Sequence, residues 1–348
     1  MPAERFTPAD LAEPIVLAPM AGGPSTPALA AAVSNAGGLG FLAAGYTSPS
    51  AVAEDVRAVR ALTGRPFGVN VFVPGPSGDD EAVRRYADEL RADAERWGVE
   101  LGEPRADDDA WEAKVDLLAE ERVPVVSFTF GLPHPDMVTA LHATGATVLV
   151  TVTTPQEAVA ARDVGADALT VQGVEAGGHR GDFLDQDGVG EYGLLTLLRL
   201  VARAVDLPLV AAGGIVDGPA VAAVLVAGAE AAQLGTAFLC CPEAGTSPAH
   251  RQALAAYERT ALTRAFSGRR ARGLVNRFLA EHTATAPAAY PQVHHLTTPL
   301  RAAARKAGDP DAVNLWAGQG HSLVETLPAG ELVRRLADDA QAALAQAR

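Results

Sequence analysis

The sequence predicts a (β/α)8 TIM barrel with a helical insertion after the third strand and a C-terminal helical extension. Three observations carry this. Eight short apolar runs recur between Pro14 and Leu239. The segments between them are alanine-rich with helical spacing, and several stop at a glycine just before the next run. Most read as continuous, largely apolar runs rather than alternating ones, as strands covered on both faces do. A doubly wound sheet is the competing architecture. Eight units, with glycine-rich loops at both ends of the series, favour the barrel.

The predicted strands are PIVLAP (Pro14–Pro19), LGFLAA (Leu39–Ala44), FGVNVFV (Phe67–Val73) and VPVVSFTF (Val123–Phe130). TVLVTVT (Thr147–Thr153), ALTVQGV (Ala168–Val174), LPLVAAGGI (Leu207–Ile215) and AAQLGTAFL (Ala231–Leu239) follow. Helical spacing places helices over Thr26–Ala36, Ser50–Leu62, Pro155–Val164, Tyr192–Ala204 and Pro219–Ala227. Stops such as Asn35-Ala-Gly-Gly, Asp163-Val-Gly165 and Val226-Ala-Gly228 supply the C-terminal signal. Two segments fall outside the repeat. Residues 74–121 read as a long, acidic helical insertion of no assignable role. Residues 255–348 read as a helical segment covering the barrel mouth, leaving 1–254 as the barrel itself.

Composition removes several function classes. A formal charge of -14 over 348 residues repels a polyanion, so no nucleic acid is expected as partner. The one basic run, SGRRARG (Ser267–Gly273), reads as a solvated helix end. Cys240 and Cys241 are the only cysteines and are adjacent, which suits buried thiols in a reducing compartment. The acidic start MPAERFTPADLAE has no apolar core of a signal peptide, and no apolar run is long enough to span a membrane. A cytoplasmic protein with no membrane partner is the expectation, either monomer or homodimer.

Chemistry in such barrels sits at the C-terminal ends of the strands. Here those ends carry Pro19-Met20-Ala21-Gly22-Gly23, Asn70, Phe130, Thr153, Gln172, Gly213-Gly214 and Gly235-Thr236. The only lysines, Lys114 and Lys306, lie in charged helical stretches, so Schiff-base chemistry is not expected. No His-x-His closes the first strand and no carboxylates close successive ones, so no metal is expected. His294-His295 are adjacent and point apart. GLGFLA (Gly38–Ala43) enters a strand, whereas a dinucleotide fingerprint must leave one.

What remains is a set of backbone amides and side-chain amides. The loops AAGGIVDG and QLGTAF place Gly213, Gly214, Gly235 and Thr236 as a phosphate cradle. Asn70 and Gln172 offer both donor and acceptor to the edge of a flat ring system, and PMAGG lets such a ring approach the backbone. With so few protein acids and bases, a cofactor carries the hard chemistry. The stretch VQGVEAGGHRGDF (Val171–Phe183) adds one histidine, His179, between two glycine pairings.

These pieces together resemble the nitronate monooxygenases, formerly called 2-nitropropane dioxygenases. LAPMAGG, GVNVF, SFTFGLP, VQGVEAGGHRG, AAGGI, QLGTAFL and LWAGQG run in order over nearly the whole chain. The resemblance implies FMN as cofactor, with contacts at Met20, Asn70, Gln172, Gly177, Gly214, Gln233, Leu234, Gly235 and Thr236. Ala21, Gly22, Gly178 and Gly213 belong to the same loops. His179 falls at the family's catalytic histidine, and Gly318 with Gln319 in a motif that approaches the flavin. It further implies oxidation of alkyl nitronates such as propionate 3-nitronate by O2, through a flavin semiquinone, to carbonyl compounds and nitrite.

An imidazole with its ordinary pKa of about 6.5 takes or gives a proton near neutrality, so His179 is expected to act as a base or as a positive hydrogen-bond donor. The other histidines are given no role, with His134, just past the fourth strand, the one nearest a strand end. Flavin-dependent enoyl-acyl-carrier-protein reductases and NAD(P)H:quinone reductases share the scaffold and remain alternatives. A flavin-free phosphate-binding isomerase or lyase would need a carboxylate or lysine at a strand end, and only Glu175 comes near one.

Overall fold

Each predicted apolar run becomes a strand of one parallel sheet, because each is covered inside by its neighbours and outside by a helix. In the computed structural model, which describes residues 5–346, these are β1 (Ile15–Leu17), β2 (Gly40–Ala43), β3 (Phe67–Phe72), β4 (Val125–Thr129), β5 (Thr147–Val152), β6 (Ala168–Gln172), β8 (Leu209–Ala212) and β9 (Ala231–Leu234). Residues 1–4 and 347–348, the outer limits of the predicted domains, lie outside that range. The strand order is β1-β9-β8-β6-β5-β4-β3-β2. Leu17 N–H donates to the Leu39 carbonyl and Leu39 N–H to that of Ile15, each at 2.9 Å, which closes the sheet into a barrel.

The helices start where a capping residue precedes a proline. Thr26, Ser48, Thr154 and Ser247 each accept a backbone N–H of the first turn, with proline next in sequence. Inside the barrel, Val16, Leu39, Phe41, Val125, Leu149, Ala168, Val210 and Ala231 form a sealed layer, with Phe6 and Leu11 packed against it. That layer leaves only one mouth open to chemistry.

The remaining sequence builds a second lobe with its own core. Tyr86, Leu90, Phe266, Phe278, Val293, Leu296 and Leu300 are all buried together there. Its parts come from the acidic insertion and from the segment after β9, so neither half could bury its apolar face alone. Polar clasps join them: the Tyr86 hydroxyl donates to the Ala265 carbonyl at 2.8 Å. Asp93 receives Arg277 at 2.7 Å and the His282 ring at 2.9 Å. Asp93, Glu281 and His282 could gather round a cation, but Arg277 already pairs with both carboxylates.

Five expectations change here. The helix Trp111–Glu120, assigned to the insertion, packs against the helices Pro49–Leu62 and Pro135–Ala143, and so is the barrel helix between β3 and β4. The C-terminal region is not all helical. β10 (Thr260–Thr263) and β11 (Ala271–Leu274) form an antiparallel sheet with β7 (Gly178–His179). SGRRARG is therefore no solvated helix end; Ser267, Arg269, Arg270 and Arg272 are buried. Finally, the helix Ala329–Gln346 does not cover the mouth but packs against helices Gly218–Val226 and Pro27–Asn35, closing the outer ring. The predicted eighth strand also ends early, at Leu234, with a 3-10 turn over Thr236–Phe238. Among the described residues, no helix is long and apolar enough to cross a membrane.

Candidate active site

The strand ends of the barrel and the inner face of the second lobe enclose a cavity of about 450 Å3. Met20, Ala21 and Gly22 line one side, and Asn70, Gln172 and Gln233 project from β3, β6 and β9. Gly213, Gly214, Gly235 and Thr236 form the next wall, and Gly177, Gly178 and His179 the roof. Three predicted contacts fall elsewhere. Leu234 is buried in the barrel wall, because neighbouring residues of a strand face opposite ways. Gly318 and Gln319 stand behind the cavity, their N–H groups donating to Thr236 Oγ1 and the Glu175 carbonyl, each at 3.0 Å.

Gly177 is where that support needs a glycine. A Cβ there would lie 2.5 Å from both the Ala317 carbonyl carbon and the Gly318 nitrogen. Within LWAGQG, Ala317, Gly318 and Gln319 thus press the histidine loop from behind, while Trp316 reaches the cavity.

Hydrogen bonding sets which end of each amide faces inward. Asn70 Oδ1 accepts from Ser127 Oγ at 2.7 Å and Thr129 Oγ1 at 2.9 Å, so its NH2 is left for the cavity. Gln172 Oε1 accepts from Arg180 Nη1 at 3.0 Å and Gly181 N–H at 2.8 Å, while Nε2 donates to the His179 carbonyl at 3.0 Å. One Nε2 hydrogen remains. The backbone N–H groups of Gly213, Gly214, Gly235 and Thr236 donate to no acceptor among the described residues. The polar wall is therefore rich in donors with no protein partner, at a place where a phosphate and an acceptor-rich ring edge would satisfy them.

His179 is held on three sides. Its backbone pairs with Ala271 of β11, and Nε2 stands 2.8 Å from Ser267 Oγ. Ser267 Oγ also donates to the Arg269 carbonyl at 3.2 Å, so Nε2 carries the hydrogen and Nδ1 the lone pair. The rings of Phe130, Tyr290 and Trp316 lie 5.7, 5.9 and 5.5 Å from the imidazole. Burial, assisted by the nearby Arg269 guanidinium and opposed by Asp185, lowers its pKa to about 3. The expected positive donor is thus a neutral ring at neutral pH.

Below it lies a buried ionic network. Arg180 donates to the carbonyls of Gly173 and Gly190 at 2.6 and 2.7 Å, and Arg269 and Arg270 both pair with Asp182. These bonds tie the histidine loop to β11.

Other histidines given no role do reach the site. His250 and His294 both line the cavity, whereas His134 caps the helix Pro135–Ala143 by accepting the Asp136 N–H at 3.3 Å. Burial lowers the His250 pKa to about 4, and burial with Arg301 lowers that of His294 to about 2. Tyr46, Phe72, Ser267, Arg301 and Trp316 also line the cavity, supplied by five distant segments; Phe72, Ser267 and Trp316 fall in stretches singled out above without being assigned to the site. Glu175 turns away, its carboxylate accepting the Leu194 N–H at the start of a helix. Lys114 is buried against Asp109 at 2.7 Å, outside the cavity. No carboxylate or lysine reaches the cavity wall among the described residues.

Comparison with known proteins agrees with this arrangement. The family profile of nitronate monooxygenase matches residues 5–339. A nitronate monooxygenase of Pseudomonas aeruginosa is 44% identical, over 97% of this chain and 99% of its own. One from Paraburkholderia phytofirmans is 42% identical, over 97% and 94%. Among solved structures, the nitroalkane oxidase of Streptomyces ansochromogenes is 53% identical with a TM-score of 0.95, covering 98% of this chain and 99% of that one. FabK from Thermotoga maritima is 27% identical with a TM-score of 0.74, over 98% and 96%.

Proposed function

The chain belongs to the nitronate monooxygenase family and is an enzyme; on that premise we propose that it binds FMN and oxidises alkyl nitronates with O2 to carbonyl compounds and nitrite. The observation that carries this reading is a neutral, boxed-in imidazole beside a cavity whose walls carry unpaired amide donors and an arginine but, among the described residues, no carboxylate or lysine. In the balanced reaction, two nitronates and one O2 give two carbonyl compounds and two nitrite ions.

The free N–H groups of Gly213, Gly214, Gly235 and Thr236 would hold the FMN phosphate, and Asn70 and Gln172 would donate to its ring edge. When bound, FMN supplies the acceptor for electrons leaving the nitronate. His179 shapes the choice of substrate. A ring with a pKa near 3 is too weak a base to draw an α-proton from a neutral nitroalkane. A nitronate is already deprotonated, and the cavity's donors and the Arg301 guanidinium favour its negative charge. We therefore assign the preformed anion as substrate, with His179 orienting it.

The test is an anaerobic one. The yellow protein is mixed with propionate 3-nitronate, then separately with NADH and NADPH, while flavin absorbance is followed. Loss of oxidised-flavin absorbance with the nitronate alone supports this reading. Rapid bleaching by a nicotinamide, with no response to the nitronate, would mean a reductase on the same scaffold.

A further inference from the structure

Tyr46 stands in a loop between β2 and the helix Pro49–Leu62, at a φ of +66°. Side chains with a Cβ rarely adopt that region, and such outliers persist only where the surroundings impose them. Here they do. The Tyr46 N–H donates to both carboxylate oxygens of Asp109, at 3.1 and 3.3 Å. Asp109 and Ala110 are themselves at positive φ, +55° and +54°. Behind them, the fully buried Lys114 ammonium meets Asp109 at 2.7 Å and has no other acceptor. A buried ammonium and a half-buried carboxylate are thus committed to one loop amide, outside the cavity.

The effect is to set the Tyr46 ring into the cavity wall. It stacks on His294 with centroids 4.0 Å apart and planes 5° from parallel, and meets the Phe72 edge at 5.6 Å. The Tyr290 hydroxyl donates to Tyr46 Oη at 3.2 Å, which satisfies the oxygen but not the Tyr46 proton. That proton has no acceptor among the described residues. Burial pushes the phenol up to about 12, so it keeps its proton at any working pH. Nearby, the Arg301 guanidinium uses Nε on Thr297 and Nη2 on His294 and Thr298, leaving Nη1 without a protein acceptor. Both groups line the same cavity.

We propose that Tyr46 is a further substrate-binding residue, its phenol donating to the anionic O–N–O head of the substrate, and that the Asp109–Lys114 pair is the strut that holds it there. This rests on the function proposed above and deepens it by naming the group that takes the anion. A tyrosine placed only for packing would not need a carboxylate and a buried lysine to force its backbone.

The test uses the FMN-loaded enzyme and nitrite, an unreactive anion with the same O–N–O geometry, titrated while flavin absorbance is followed. Tyr46→Phe keeps the ring, the stacking and the backbone, and removes only the donor. The nitrite Kd and the nitronate KM are both expected to rise about tenfold or more, as loss of a hydrogen bond to a charged acceptor implies, with FMN affinity unchanged. Lys114→Met should move the nitrite Kd in the same direction. Tyr290→Phe, which leaves the Tyr46 proton in place, should move it less. Equal nitrite Kd and nitronate KM in wild type and Tyr46→Phe would overturn the proposal, as would wild-type flavin indifferent to nitrite. Wild type that binds nitrite but oxidises no nitronate would sink the functional reading and leave the anion site standing.

Discussion

Three neutral histidines inside the protein make its stability acid-sensitive in a calculable way. The perturbation is a fall from about pH 7 to about pH 5.5. His179, His250 and His294 are lowered to about 3, 4 and 2, so the folded protein takes up almost no proton on them in that interval. In the unfolded chain each titrates near 6.5. Their contribution is fully present above that value and is lost as pH falls below it, because only the unfolded state gains protons. Each residue then costs about 1.3 kcal/mol across the interval, and the three together about 4 kcal/mol. Burial raises Asp109, Glu157 and Asp182, and their protonation in the folded state would offset part of this. Urea unfolding at the two pH values reads the difference, and His294→Phe should shrink it by about a third while keeping the stack on Tyr46. An unchanged pH dependence in His294→Phe would show that this ring is not neutral in the native state.

Other expectations follow from single contacts. His179→Asn is expected to retain the yellow cofactor and, by losing the group that orients the nitronate, lose turnover by about a hundredfold, read by steady-state nitrite release. Gly214→Ala places a Cβ 3.0 Å from the Glu175 Cβ at a φ of +70°, so it should weaken FMN retention, measured by equilibrium dialysis. Asp93→Ala leaves Arg277 and His282 without their shared partner between the two halves of the second lobe, and should cost about 3 kcal/mol, read from the denaturation midpoint.

Much of the architecture is local information and so was legible in the chain. The run VVSFT is mostly apolar and β-branched or aromatic, as a strand covered on both faces is, and Thr154-Pro155 with Glu157 three residues after the cap marks the start of a helix. Gly213-Gly214 and Gly235-Thr236 follow their strands directly, so their place at the barrel mouth follows from order alone. SGRRARG shows the limit. A run of arginines reads as solvated until a buried partner exists, and Asp182, Asp185 and Glu191 come from another part of the chain.

The sequence by itself determined the order of the eight strands and five of the helices between them, the loops that face the mouth, and the position of His179 among them. Only the tertiary structure decided that His179 is neutral, since desolvation and the Arg269 charge come from segments folded around it. It alone decided that the acidic insertion and the C-terminal segment share one core, and that Leu234 faces away from the cavity. Periodicity and turn chemistry act over a few residues, whereas burial and pairing between distant segments arise only when the chain closes.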